Sequence, residues 1–252
     1  MSSEVFLLPL LFATGLTAGL IDAIAGGGGL ITLPVLLSIG IPPKLAFWTN
    51  KFQSSFGSFT AAYYYSRRGV ADARRAKIGI VMTLVGAGLG AWAVQQIESN
   101  VLSEIVPFLL FAIALYTLFT PRLGEVRTSP KISETSFYVL TGTVLGFYDG
   151  FFGPGVGSFW TILFVFGLGF GLMKATGYTK VMNFASNIIS FAVFFVGGHI
   201  WFAGGACMAV GQILGSRIGS GLAIKKGARF IRPLYITVVL GTIVKLIWGR
   251  WG

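Results

Sequence analysis

Two lysines, two aspartates and two glycine-rich runs recur at matching places in this chain, and they carry most of its chemistry. Lys51 in "TNKFQSSFGSF" and Lys180 in "YTKVMNFASNI" each lie inside an otherwise apolar segment. Asn50, Ser54 and Ser58 share a helical face in the first of these segments, and Thr179, Asn183, Ser186, Asn187 and Ser190 share one in the second. Ammonium groups flanked by hydroxyl and amide donors suit an anion with several acceptor oxygens. Asp22 precedes "AIAGGGG" and Asp149 precedes "GFFGPGVG". Gly27, Gly28 and Gly29, and in the second run Gly155 and Gly157, then open short apolar segments, where free N–H groups and the helix dipole favour negative charge. Of these, Gly27, Gly28, Gly29, Asn50, Lys51, Ser54, Ser58, Gly155, Gly157, Lys180, Asn183, Ser186 and Asn187 form the expected substrate-binding set. A Cβ at Gly27, Gly28 or Gly155 is expected to fill the space where anion oxygens approach. Asp22 and Asp149 are the candidates for coupling, their protonation linked to release of the anion from the lysines. Two other readings of the lysines stay open: structural ion pairs of Lys51 with Asp22 and Lys180 with Asp149, or snorkelling toward headgroups.

The remaining reactive side chains are few. His199 is the only histidine and Cys207 the only cysteine, so one chain builds neither a disulfide nor a thiolate metal site, and no metal or other cofactor is expected. His199 falls in a Gly-rich loop, which argues against a proton relay. Gln212 and Arg217 share one apolar segment as weaker candidates; Arg217, two turns from "KKG", reads more simply as snorkelling.

The elements that must position these groups are membrane helices. Of 252 residues, 54% are hydrophobic and 11% charged, and the mean hydropathy is +0.80. Apolar stretches of about 20 residues, the length that crosses a bilayer core, recur along the chain. The net charge of +11 comes from short clusters between apolar spans, which argues against nucleic acid and for the lipid bilayer as partner. A small anionic substrate is the other expected partner; whether the chain forms a homodimer stays open. "MSSEVFLLPLLFATGL" lacks the basic start of a cleaved signal peptide and reads as the first span. Trp48, Trp160, Trp201, Trp248 and Trp251 fall mostly near span ends, as in an interfacial aromatic belt.

The two halves are one unit repeated. "AGLIDAIAGGGG" returns as "LGFYDGFFGPGVG", with Asp22 matching Asp149 and Gly26 matching Gly153. Lys51 matches Lys180 and Ser54 matches Asn183, after a register shift of two residues. "GAGLG" then returns as "GSRIG". Each half reads as five apolar segments, near 5–24, 29–41, 44–66, 75–97 and 102–120, then 135–152, 156–170, 173–196, 201–223 and 232–248. The polar link "PRLGEVRTSPKISET" is a surface loop between them. The loop after the third segment is basic in the first half, "SRRGVADARRAK", and uncharged in the second, "GGHIWFAGG". After the fourth segment the bias reverses, from "QQIESNVLSE" to "AIKKGARFIR". By the positive-inside rule the repeats are therefore inverted, with the loop at 67–77 and the link cytoplasmic and both termini outside. The second segment of each half is too short to span comfortably, so the first two form a hairpin of broken helices. The tips are expected to enter from opposite faces and meet near the midplane.

"DAIAGGGGLITLP", "TNKFQSSFGS", "GFYDGFFGPGVGSF" and "TKVMNFASNI" resemble the TauE/SafE family of bacterial inner-membrane permeases, often called sulfite exporters. The resemblance covers nearly the whole chain, in both halves. It implies transport of sulfite, organosulfonates or related small anions across the cytoplasmic membrane, by a secondary mechanism without an ATPase. The chain carries no Walker-type phosphate loop, in keeping with this. The expectation is thus an all-α, polytopic membrane protein, one integral-membrane domain over 1–252 with inverted repeats at about 5–120 and 135–248, working by alternating access. An anion channel is the first alternative, against which the sparse polar stripes speak. A membrane-embedded enzyme is the second; it needs an acid/base or metal constellation that one histidine, one cysteine and few acids supply poorly.

Overall fold

The computed structural model describes residues 2–119, 132–197 and 200–226. The segment expected near 232–248, most of the link, His199, Trp248 and Trp251 lie outside them. Among the described residues the fold is nine helices without strands: α1 Ser2–Ala25, α2 Gly29–Ser38, α3 Pro43–Arg67, α4 Lys77–Gln95, α5 Ser99–Phe119, α6 Glu134–Phe151, α7 Val156–Leu168, α8 Leu172–Gly197 and α9 Phe202–Lys226. Four stretches of the described residues are long and apolar enough to cross a membrane: Leu7–Ala25, Lys77–Gln95, Leu172–Gly197 and Phe202–Lys226. At 25 residues α3 is equally long, about 37 Å, but its polar face lowers its hydropathy, and that face is buried.

Helices α2 and α7 are the short ones, with 10 and 13 residues, or about 15 and 20 Å. Both are closed by the same device. Gly40 (φ +85°) and Gly169 (φ +67°) turn the chain in the left-handed region, and the next N–H reaches back five or six residues to the helix, Ile41 to Leu36 O at 3.1 Å and Phe170 to Phe164 O at 3.1 Å. A glycine is needed because a Cβ opposes that backbone conformation. At α3 the turn leads into Pro42 and Pro43, which start the next helix without an unpaired N–H.

Packing joins elements of different halves. Phe12, Leu16 and Leu20 of α1 lie against Gly211, Gly215 and Gly219 of α9, so these helices run parallel with backbones close together. Thr83 and Ala87 of α4 lie likewise against Gly146 and Gly150 of α6. Phe52 meets Phe191 and Phe59 meets Phe184, both at 5.2 Å between ring centroids, so α3 and α8 cross the centre antiparallel. Each also has a parallel neighbour from the other half. Gly57 and Tyr64 of α3 face Gln212 and Gly221 of α9, and Gly79 and Gly88 of α4 face Met182 and Ile189 of α8. Helices α1, α3 and α9 therefore run one way and α4, α6 and α8 the other, and every contact named maps onto its counterpart when the halves are exchanged.

These directions gather the basic residues at one end. Arg67 and Arg68 close α3, Arg74, Arg75 and Lys77 lead into α4, Lys174 opens α8, and Lys225 and Lys226 close α9. At the other end Glu98 stands between α4 and α5, Glu104 lies in the second turn of α5, and Lys44 donates to the last carbonyl of α4, Gln95 O, at 3.1 Å.

Candidate functional site

The two glycine-rich turns touch. At Gly26 an added Cβ would lie 2.7 Å from Gly157 Cα, and at Gly157 it would lie 2.7 Å from Gly26 Cα. Ser158 Oγ donates to Ala25 O at 3.4 Å, and Tyr148 Oη steadies the second turn by donating to Pro154 O at 2.6 Å. Only residues without side chains allow this approach, so the tips of hairpins α1–α2 and α6–α7 form the floor of the site.

Lysines from the long central helices reach over that floor, each to the hairpin of the other half. Lys51 Nζ lies 2.5 Å from Asp149 Oδ1 and Lys180 Nζ lies 3.0 Å from Asp22 Oδ2. The pairs expected within each half, Lys51 with Asp22 and Lys180 with Asp149, are therefore corrected: the antiparallel crossing of α3 and α8 carries each lysine away from its own hairpin. Both lysines and Asp149 are buried, while the Asp22 side chain keeps 18% of its surface. Snorkelling is corrected too, since neither ammonium group leaves the interior.

Around these pairs the polar stripes close in. Lys51 also donates to Asn187 Oδ1 at 3.2 Å, and Asn187 Nδ2 donates to Ser58 Oγ at 3.3 Å. Ser186 Oγ donates to Asp149 Oδ2. Asn50 Oδ1 accepts from Thr32 Oγ1 at 2.5 Å and from Gln53 Nε2 at 2.9 Å. Thr179 pairs with Thr161, hydroxyl to hydroxyl, at 3.1 Å. Asn183 Oδ1 is buried without a partner among the described residues.

The backbone N–H groups of Gly27 and Gly28 have a ligand already. They donate to Asp22 Oδ1 at 3.1 and 3.2 Å, so the carboxylate sits at the start of α2 as an anion would. The expectation about side chains at the glycines changes accordingly. A Cβ at Gly28 would meet Asp22 Cβ at 3.0 Å, and one at Gly155 would meet Ile113 Cγ2 at 2.4 Å; the obstacle is packed protein rather than anion space. A small cavity of about 30 Å³ remains, lined by Asp22, Gly28, Lys51, Asp149, Asn183 and Gln212 among others. That is room for about one water. Gly27, Gly29, Asn50, Ser54, Gly155, Gly157 and Asn187 also border it, whereas Ser58, Lys180 and Ser186 stand one layer behind.

Gln212, only a weak candidate in the sequence, is part of this wall. It is buried, and its amide fills the space beside Gly57. The second half has Ser186 where the first has Gly57, and the first has Thr83 where the second has Gln212; that compensating exchange is the signal that marks it. Were the transported substrate an anion seated here, Gln212→Ala is expected to weaken its binding about tenfold or more, as one hydrogen bond to a charged group is worth ~1.5 kcal/mol or above. Titration of purified protein by calorimetry checks this. Trp160 is corrected as a belt residue: α7 begins inside the protein, so its second turn is interior, and Trp160 is fully buried against Phe164 at 5.3 Å. Trp48 is buried as well, beside Phe194 at 5.8 Å.

The sequence profile described as "Sulfite exporter TauE/SafE" matches residues 11–246. The chain belongs to the TauE/SafE family. Among its TauE/SafE-like relatives, a probable membrane transporter protein of Haemophilus influenzae is 42% identical over 97% of this chain and 96% of its own length. The probable membrane transporter protein YfcA of Escherichia coli K12 is 43% identical over 98% and 91%. A more distant one, YdhB of Bacillus subtilis, is 24% identical over 91% and 97%. No solved structure matches the chain. As a TauE/SafE protein with four apolar helices of spanning length, it is a membrane transporter.

Proposed function

We propose that this transporter moves small oxyanions, sulfite or organosulfonates in the first place, across the cytoplasmic membrane by alternating access of the site between the hairpin tips. The observation that carries this is Asp22: one carboxylate oxygen takes two N–H groups at the start of α2 and the other takes the Lys180 ammonium. A sulfonate offers the same acceptors, so substrate and Asp22 compete for one cradle. Seating the anion requires Asp22 to leave, and a protonated Asp22 leaves without stranding a second negative charge. One anion then enters with one proton, and the site keeps its charge throughout. The helix directions and the basic end support reading the halves as inverted repeats about an axis in the membrane plane, basic end cytoplasmic, which is the architecture rocking transporters use.

The test is flux into proteoliposomes. With a simple alkanesulfonate or sulfite, uptake is expected to saturate and to run uphill when the substrate side is made acidic. A potassium diffusion potential alone is expected to drive nothing for a monovalent anion. Flux that follows the potential and ignores the pH gradient would identify an anion channel instead. Asp22→Asn, which mimics the protonated acid, is expected to bind anion with no dependence on pH at this site.

A further inference from the structure

At the basic end, α3 and α9 enclose a groove of about 530 Å³ lined by Thr60, Tyr63, Tyr64, Arg67, Arg68 and Arg217. Three guanidinium groups converge on two tyrosine rings there. Arg217 Cζ stands 4.3 Å from the Tyr64 ring centre and Arg68 Cζ 5.3 Å from the same ring, while Arg67 lies over Tyr63 at 5.7 Å and donates to its Oη at 3.0 Å. None of the three has a carboxylate partner among the described residues; the nearby Asp72 bridges to Arg75. Like charges gathered on one ring without a counterion repel, and an anion relieves this.

The walls indicate which anion. Below the arginines, toward the middle of both helices, Phe56, Phe59 and Tyr63 of α3 and Ile213 and Leu214 of α9 are exposed large side chains. A free phosphate needs only the basic end of such a groove. A phospholipid uses all of it, with its phosphate at the guanidinium fork and its acyl chains along the apolar faces. Arg217 belongs to this arrangement because it lies among the exposed residues of α9 yet turns to Tyr64, keeping its charge at the groove.

We infer that this groove binds the phosphodiester headgroup of an anionic phospholipid. The site is separate from the transport cradle and does not depend on which anion is carried. Native mass spectrometry of the full chain, with phosphatidylglycerol or phosphatidylcholine added to the detergent, tests it. Phosphatidylglycerol is expected to stay bound and phosphatidylcholine to be lost. Each guanidinium removed is expected to lower phosphatidylglycerol retention about fivefold, so Arg67→Gln with Arg68→Gln and Arg217→Gln loses roughly 100-fold. Arg217→Gln alone gives the fivefold arm should the triple variant not fold. Arg74→Gln with Arg75→Gln, at the same end, is expected to keep its lipid. Equal retention by the triple variant and the native chain would overturn the proposal. Equal loss in the Arg74 and Arg75 variant would do so too, reducing the effect to general surface charge. Stabilisation by glycerol phosphate equal to that by the lipid would assign the groove to a free anion instead.

Discussion

Lys51→Met is expected to destabilise the empty protein by about 3–5 kcal/mol, the usual cost of leaving one member of a buried pair uncompensated. Asp149→Asn, added to it, is expected to restore most of that loss, because Lys51 and Asp149 lie 2.5 Å apart and both are buried. Asp22→Asn added to Lys51→Met is expected to restore nothing, since Asp22 belongs to Lys180. The mirror cycle, Lys180→Met with Asp22→Asn, is expected to be shallower, as Asp22 retains contact with the cavity and two backbone N–H groups that steady it. Unfolding titrations of the four single and three double variants in detergent decide this. Rescue by the aspartate of the same half would refute the crossed pairing.

Gly26→Ala and Gly157→Ala are expected to abolish transport and to lower stability, by about 2–4 kcal/mol and about 1–3 kcal/mol respectively. At either position the new methyl would come within 2.7 Å of backbone in the other hairpin, and backbone cannot step aside as a flexible side chain does. Overpacking alone costs ~1–3 kcal/mol. At Gly26 the φ of +75° adds roughly 1 kcal/mol of strain. Gly29→Ala is the contrasting variant: its Cβ would meet Pro154 at an ordinary 3.4 Å, and near-native flux is expected. Flux measured on folded, monodisperse samples checks all three, and an active Gly157→Ala protein would mean that the tips can separate without harm.

Much of this site was legible because duplication writes each feature twice. A lone buried lysine or glycine run is ambiguous, but Lys51 with Lys180 and Asp22 with Asp149 at matching places mark a constellation, and the helices around them lie close to where the apolar segments put them. What did not follow was partnership. Matching positions within a half says nothing about which half a lysine reaches, and the antiparallel contact of α3 with α8 sends each one across. Gln212 stood out only weakly for a related reason: its counterpart is Thr83, so a search for likeness passes over a place where the halves differ. Trp160 misled because a tryptophan early in an apolar segment suggests a membrane surface, whereas the segment of Trp160 starts in the interior.

The pairing of α1 with α9 bears on how the chain is made. Cys207 Sγ donates to Leu8 O across 199 residues, and at ~5–20 residues per second of synthesis α1 waits about 10–40 s for its neighbour. Its small-residue face loses little meanwhile, because lipid is as apolar as the partner to come. Asp22 is different: its ammonium partner arrives 158 residues later, and a bare carboxylate in hydrocarbon is costly. The newborn first hairpin must therefore stay neutral, stay shallow or stay sheltered by the insertion machinery until α8 emerges. A ribosome-bound chain halted before Lys180 should accordingly extract from the membrane more readily than one halted after it.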